Sequence, residues 1–142
     1  MNKVKVGIVG ASGYSGEELV RLLLRHPHVE LTAVTSRQYA GQTLAQVFPQ
    51  FGHYPHAKTI RFSEPNASLL AKQAQVIFLA LPHGVSAEFA VPLLQLGCQV
   101  IDMSAYLRIR SAEVYKDFYS LDHPAPELLA TAVYGLPEVY RT

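Results

Sequence analysis

The chain alternates short β-branched apolar runs with longer stretches whose apolar residues recur every three or four positions. The first run, Val4, Val6, Ile8 and Val9, is too short for a helix and suits a strand buried on both faces. Gly10, Gly13 and Gly16 follow at three-residue spacing. Leu19, Val20, Leu22, Leu23 and Leu24 then recur at helical period, with a stop near Arg25 ahead of Pro27. Val29–Thr35 predicts a second strand. Between 38 and 65 the pattern is weaker. Leu44, Val47, Phe48 and Phe51 predict one short amphipathic turn of helix, and 58–62 a strand.

A helix is expected over 66–74, with Asn66 as N-cap and Leu69 and Leu70 facing inward. An apolar strand follows over 76–81, then a helix over 85–96 with Val85, Phe89, Leu93 and Leu96 on one face. Pro92 should kink that helix or divide it, Gly97 should end it, and 99–103 predicts a further strand. Beyond Arg108 the signal fades, with short helices expected from Ser111 to Tyr119 and over 126–132. Strands and helices alternating at this interval predict an α/β protein: a Rossmann-type, doubly wound parallel sheet in three α/β/α layers.

Strand, glycine turn and helix in succession give the glycines at 10–16 a chemical meaning. A tight turn needs residues that tolerate positive φ, and a pyrophosphate approaches the backbone closely only where no Cβ intrudes. The N–H groups that open the helix lie at the positive end of its dipole. The spacing is G-x-x-G-x-x-G, one residue longer than G-x-G-x-x-G, and Ser12 and Ser15 offer hydroxyl donors. No G-x-S-x-G occurs, which sets aside a serine nucleophile at an elbow.

Ligands of such a sheet collect at the carboxyl ends of its strands. Those ends are 10–16 (Gly10, Ser12, Gly13, Tyr14, Ser15, Gly16), Ser36-Arg37, the Leu81-Pro82-His83-Gly84 segment, and 102–108, which contains Ser104 and Arg108. A dinucleotide cofactor is expected to touch the first three segments and Ser104. The second strand runs out into Thr35, Ser36 and Arg37, with its nearest acid, Glu30, at the wrong end. Hydroxyls and a cation there suit a 2′-phosphate, so the expected cofactor is NADP, as NADPH; a solvated surface arginine is the plainer reading of Arg37. His83 stands on the rim, either as a base or as lining for the nicotinamide.

Composition removes other classes. The 142 residues suffice for a single domain with a real core, and 49% of them are apolar. Twelve Lys and Arg against eleven Asp and Glu leave a net charge of +1, so nothing directs the chain to nucleic acid or anionic lipid. The apolar runs are too short to span a bilayer, and no signal-peptide pattern precedes the first strand. The one cysteine forms no internal disulfide, and a cytoplasmic setting is expected. His26/His28 and His53/His56 lack the carboxylates or thiols that complete a metal site, so no metal is expected.

Five motifs occur in order: G-A-S-G-Y-S-G-E-E-L (10–19), T-S-R (35–37), A-L-P-H-G (80–84), V-I-D-M-S-A-Y-L-R (100–108) and Y-G-L-P-E (134–138). With them the chain resembles the N-acetyl-γ-glutamyl-phosphate reductases, NADPH-dependent enzymes of arginine biosynthesis similar in fold to aspartate-semialdehyde dehydrogenases. Met103 stands where Leu is usual in that family, and Tyr106-Leu107 where an Asp-Phe pair is usual. The resemblance implies a cysteine thiolate that attacks an acyl phosphate, loss of phosphate, and hydride reduction of the thioester to a semialdehyde. In the family that cysteine follows Y-G-L-P-E, in an N-P-G-C-Y-P-type segment these 142 residues do not contain.

Residues 1–142 are therefore expected to be the cofactor-binding domain of a longer enzyme, inactive alone, with the catalytic and dimerisation domain elsewhere. Cys98, at the buried start of a strand on the edge opposite the crevice, is expected to be inert. Arg108 is the candidate for holding the substrate's carboxylate or phosphate through a bidentate fork, or else a structural ion pair. The expected partner is a small acyl phosphate, and a homo-oligomer in the longer protein. The same fold would also serve an aspartate-semialdehyde or carrier-linked aminoadipyl-phosphate reductase, or a dinucleotide-binding module without catalysis.

Overall fold

The computed structural model describes residues 2–82, 84–104, 113, 116–117 and 132–133. Among them five strands form one parallel sheet: β1 (Val4–Val9), β2 (Val29–Thr35), β3 (Phe62–Ser63), β4 (Val76–Leu79) and β5 (Gln99–Asp102). Their order is β3-β2-β1-β4-β5. The chain steps outward from β1 to β3, crosses back to lay β4 against the other side of β1, and continues to β5. The direction of winding therefore reverses between β1 and β4, the position where a doubly wound sheet opens its crevice.

Helix α1 (Tyr14–Leu24) covers one face together with α2 (Leu44–Val47) and two 3₁₀ turns, Pro49–Phe51 and Pro55–Lys58. Helices α3 (Ala67–Gln73) and α4 (Ala87–Gln95) cover the other. On the first face Ile8, Leu31, Leu44 and Phe62 are fully enclosed; on the second Ile77, Leu79, Ala90 and Leu93 are. Each large side chain so buried contributes roughly 1.5–3 kcal/mol. Gly7 of β1 lets this layer close, since a Cβ there would lie 3.0 Å from Ile77 Cδ1 and 3.3 Å from the Ala33 Cβ.

The β1–β2 register shifts between Val6 and Gly7, leaving Thr32 as an extra residue. Its hydroxyl donates to the Gln73 carbonyl at 2.7 Å, tying the bulge to the end of α3.

Several expected elements appear as read: β2 over its full length, α1 ending against Arg25, and Asn66 accepting the Leu69 N–H at 3.1 Å. Gly97 ends α4 with φ +88°. There the Gly97 N–H reaches Leu94 and the Cys98 N–H reaches Leu93, the paired bonds of a Schellman stop.

Others differ. Of the strand expected over 58–62, only Phe62 pairs with β2, in the two-residue strand Phe62–Ser63; Lys58 is the last residue of the Pro55–Lys58 turn, whose Ala57 is buried in the core, and Arg61 makes a single bridge to Thr43. Proline at the first position of that turn has its φ preset for it. The strand expected over 76–81 ends at Leu79, and Met103 lies outside β5. Pro92 does not divide α4. One bond is lost at the proline, while Phe89, Ala90 and Leu93 hold that stretch on the sheet. Leu96 is 52% exposed because the helix has already ended, and Leu69 is 52% exposed while Leu70 is 1%. Val4 is exposed at the start of β1. The helices expected over 111–119 and 126–132 fall almost wholly outside the described residues.

The two adjacent leucines of α3 separate burial from propensity. Leu70→Ala is expected to cost about 2–5 kcal/mol in denaturant unfolding, and Leu69→Ala within about 0.5 kcal/mol of no change. Equal costs would contradict the packing of α3.

Candidate functional site

The turn after β1 is built by three glycines with three different tasks. Gly10 has φ +81°, and a Cβ on it would sit 2.5 Å from the Ala80 carbonyl oxygen and 3.0 Å from Leu81 Cδ2. This residue brings the end of β1 against the end of β4. Gly16, inside α1, would place a Cβ 2.6 Å from the Ala11 backbone, so it sets how closely the helix folds over the turn. Gly13 has φ −78°, and a Cβ there would have only the Gly10 carbonyl oxygen near it, at 3.9 Å. Neither strain nor packing asks for glycine at 13. A side chain there would stand in the open space before the helix.

That space faces unpaired donors. Gly13 is the N-cap and offers no side chain, and the N–H groups of Tyr14, Ser15 and Gly16 find no acceptor among the described residues. Glu17 is the first to pair, with the Gly13 carbonyl at 2.8 Å. An 11-residue helix sums its peptide dipoles behind these amides. The arrangement fits a diphosphate: donors, positive potential, and no Cβ in the way.

The turn is braced from β2. Thr35, fully buried, accepts the Gly10 N–H on its hydroxyl at 3.3 Å and the Ala11 N–H on its carbonyl at 3.0 Å. Ser12 and Ser36 share a hydroxyl–hydroxyl bond of 3.0 Å, which joins the glycine turn to the residue after β2. Ser36 is otherwise buried and held by its N–H to the Ser63 carbonyl. Arg37 is exposed and has no ion pair among the described residues.

The structure thus brings Gly10, Ser12, Gly13, Ser36 and Leu81 to one edge. Tyr14 is 94% exposed beside them, and Ser15 and Pro82 are also open to solvent. Ser104 lies after β5, buried, accepting a hydrogen bond from the Ser86 hydroxyl at 3.1 Å. His83 and Arg108 lie outside the described residues. Sequence reasoning passed over Thr35 as a brace. Its signal is a hydroxyl residue closing an otherwise apolar parallel strand. That reasoning placed Asp102 among the strand ends at the crevice without a role and passed over Ser86; the two are linked through Ser104 only when α4 packs beside β5.

Cys98 stands at the far edge, at the amino end of β5, beside a shallow cavity of about 460 Å³ lined by Val4, Ala74, Gln75, Leu96 and Gln99. It is buried with Sγ 3.8 Å from the Ala74 carbonyl oxygen, and burial pushes its thiol pKa up. That is the opposite of an activated nucleophile. Among the described residues no group of three His, Cys, Asp or Glu side chains is placed to hold a metal, and no helix is long and apolar enough to cross a membrane.

Residues 5–142 match the family described as semialdehyde dehydrogenase, NAD binding domain. The chain is 49% identical to an N-acetyl-gamma-glutamyl-phosphate reductase of Akkermansia muciniphila, over 97% of this chain and 40% of that protein. It is 44% identical to a LysW-L-2-aminoadipate/LysW-L-glutamate phosphate reductase of Sulfolobus acidocaldarius, over 96% of this chain and 38% of that protein. In structure it is similar to aspartate semialdehyde dehydrogenase with NADP from Candida albicans: TM-score 0.61 and 25% identity, over 74% of this chain and 30% of that one. The chain therefore spans about two-fifths of the length of the curated relatives it matches.

The three glycines predict separable phenotypes. Gly10→Ala and Gly16→Ala should each lose more than about 2 kcal/mol of stability. Gly13→Ala should stay within about 1 kcal/mol of wild type yet bind a nicotinamide dinucleotide at least roughly tenfold more weakly. Thermal unfolding beside calorimetric titration reads both. Unimpaired binding by Gly13→Ala would argue against a diphosphate at this turn.

Proposed function

Since the chain belongs to the semialdehyde dehydrogenase NAD-binding domain family, we propose that it is the NADP(H)-binding part of a reductase of N-acetyl-γ-glutamyl phosphate. The observation that carries the cofactor half of this reading is the row of amides at Tyr14, Ser15 and Gly16, unpaired among the described residues, behind a cap residue without a side chain. These amides hold the diphosphate, while Gly10 and Thr35 keep them aimed. Ser12, Ser36 and Arg37 receive the 2′-phosphate: two hydroxyls already bonded to each other, and an arginine with its fork free among the described residues. Leu81 and Pro82 line the way toward the nicotinamide. The cofactor, when bound, supplies the hydride.

In the whole protein the acyl phosphate is reduced to N-acetylglutamate semialdehyde with release of phosphate. Arg108 takes the substrate's anionic group, and subunits associate through the remainder of the longer chain. The nucleophile is not Cys98, whose raised pKa and enclosed position keep it a thiol. On this reading the 142-residue chain binds cofactor and does no chemistry. The 44% identity to the LysW-linked phosphate reductase supports a second reading, with the same reaction on a carrier-bound aminoadipyl or glutamyl phosphate.

Calorimetric titration of the purified chain with NADPH and NADH tests the cofactor. NADPH should bind at least roughly tenfold more tightly, and Arg37→Ala should remove most of that margin. Equal affinities in the wild type, or an unchanged margin in the variant, would contradict the assignment. The same preparation should show no acyl-phosphate reduction, and Cys98→Ser should bind NADPH as the wild type does; turnover abolished by that substitution would reinstate the cysteine.

A further inference from the structure

Asp102 carries an anomaly. It is the last residue of β5, paired in register with Leu79. One carboxylate oxygen, Oδ1, accepts the Ser104 N–H at 2.8 Å and closes a two-residue turn at the strand's end. The other, Oδ2, is buried with no hydrogen-bond partner among the described residues. A buried acceptor left unpaired costs about 1–3 kcal/mol. Such costs concentrate where a fold gives up stability for a required geometry.

The geometry concerned is visible next door. Ser86 is the residue before α4, fully buried, and its hydroxyl does not cap the helix. It donates instead to the Ser104 hydroxyl at 3.1 Å. Asp102, Ser104 and Ser86 therefore form one hydrogen-bonded chain linking the end of β5 to the start of α4. These two elements flank the crevice on the side of β1 away from Ser36 and Arg37. The adenosine end is braced by Thr35 and Ser12; this second brace stands at the other end.

We propose that Asp102 is a positioning residue for the nicotinamide end of the cofactor site, acting through Ser104 and Ser86. It does not touch the cofactor, since its Oδ2 is enclosed. Its Oδ1 fixes the Ser104 turn, and that turn with the start of α4 sets the wall against which the nicotinamide rests. The proposal rests on the cofactor reading above, and a ligand that lacks the nicotinamide tells the two apart.

The 142-residue chain is titrated with NADPH and with 2′,5′-ADP, which keeps the adenosine and 2′-phosphate alone. Wild type should prefer NADPH. Asp102→Ala should bind NADPH roughly tenfold more weakly while its affinity for 2′,5′-ADP stays within about twofold. Asp102→Asn keeps an acceptor for the Ser104 N–H and should recover NADPH binding to within about threefold of wild type. A general loss of structure would weaken both ligands together, and that result, or an unchanged preference, overturns the proposal. Failure of Asp102→Asn to recover overturns the route through Ser104. Should Asp102→Ala not fold, Ser86→Ala carries the test, with the same selective loss expected and an unchanged preference refuting it. Wild type that binds neither ligand would refute the cofactor reading itself.

Discussion

Two backbone contacts that tolerate no side chain govern this fold's functional edge. At Gly10 the turn after β1 lies against the Ala80 carbonyl, and at Gly16 the first helix lies against Ala11. Steric exclusion at these points is nearly all-or-none, because a Cβ at 2.5–2.6 Å from backbone atoms cannot be relieved by a rotamer change. Once both approaches are made, the helix start is fixed over the crevice. Its leading amides are left without acceptors among the described residues, the condition under which an anion can be held there. A side-chain cap at position 13 would have satisfied the helix and closed the site.

The rest of the sheet exists to keep that edge rigid. Reversal of the winding between β1 and β4 puts the glycine turn where two strand ends meet with no helix between them. On one side Thr35 ties the turn to β2 through two hydrogen bonds, and the Ser12–Ser36 bond extends the tie past the strand. On the other side the Asp102–Ser104–Ser86 chain ties β5 to α4. Apart from the Asp102–Ser104 turn, these bonds join segments distant in sequence, so each is worth most when both cores are fully packed. Helix α4 illustrates the coupling. It retains Pro92 in its interior because Phe89, Ala90 and Leu93 secure it against the sheet.

Membership of the semialdehyde dehydrogenase NAD-binding domain family accords with this division of labour. Relatives named for two different phosphate substrates match this chain at 49% and 44% identity. A cofactor site made largely of backbone serves such reuse well. Recognition of a diphosphate by backbone amides needs few side chains, whatever reaction a fold carries.

The order of the elements, the bounds of β2, the stop at Gly97 and the glycine turn were all readable from residues 4–103. These features rest on local chemistry: β-branched runs, helical period, and residues that permit or forbid particular φ values. Local pattern failed where contacts across the sheet decide. Leu69 and Leu70 are equivalent in composition, but only the docking angle of α3 chooses between them, and it chose Leu70. The segment 58–62 reads as a strand, yet Lys58 ends the turn that begins at Pro55 and only Phe62 pairs with β2. The three glycines look alike in the sequence, yet one answers to backbone conformation, one to helix packing, and one only to the space in front of it. Thr35 and Ser86 gained their roles from neighbours 25 and 18 residues away. Sequence determines which residues are able to make such contacts, and tertiary packing determines which do, because a hydrogen bond or a close approach between distant segments has no local signature.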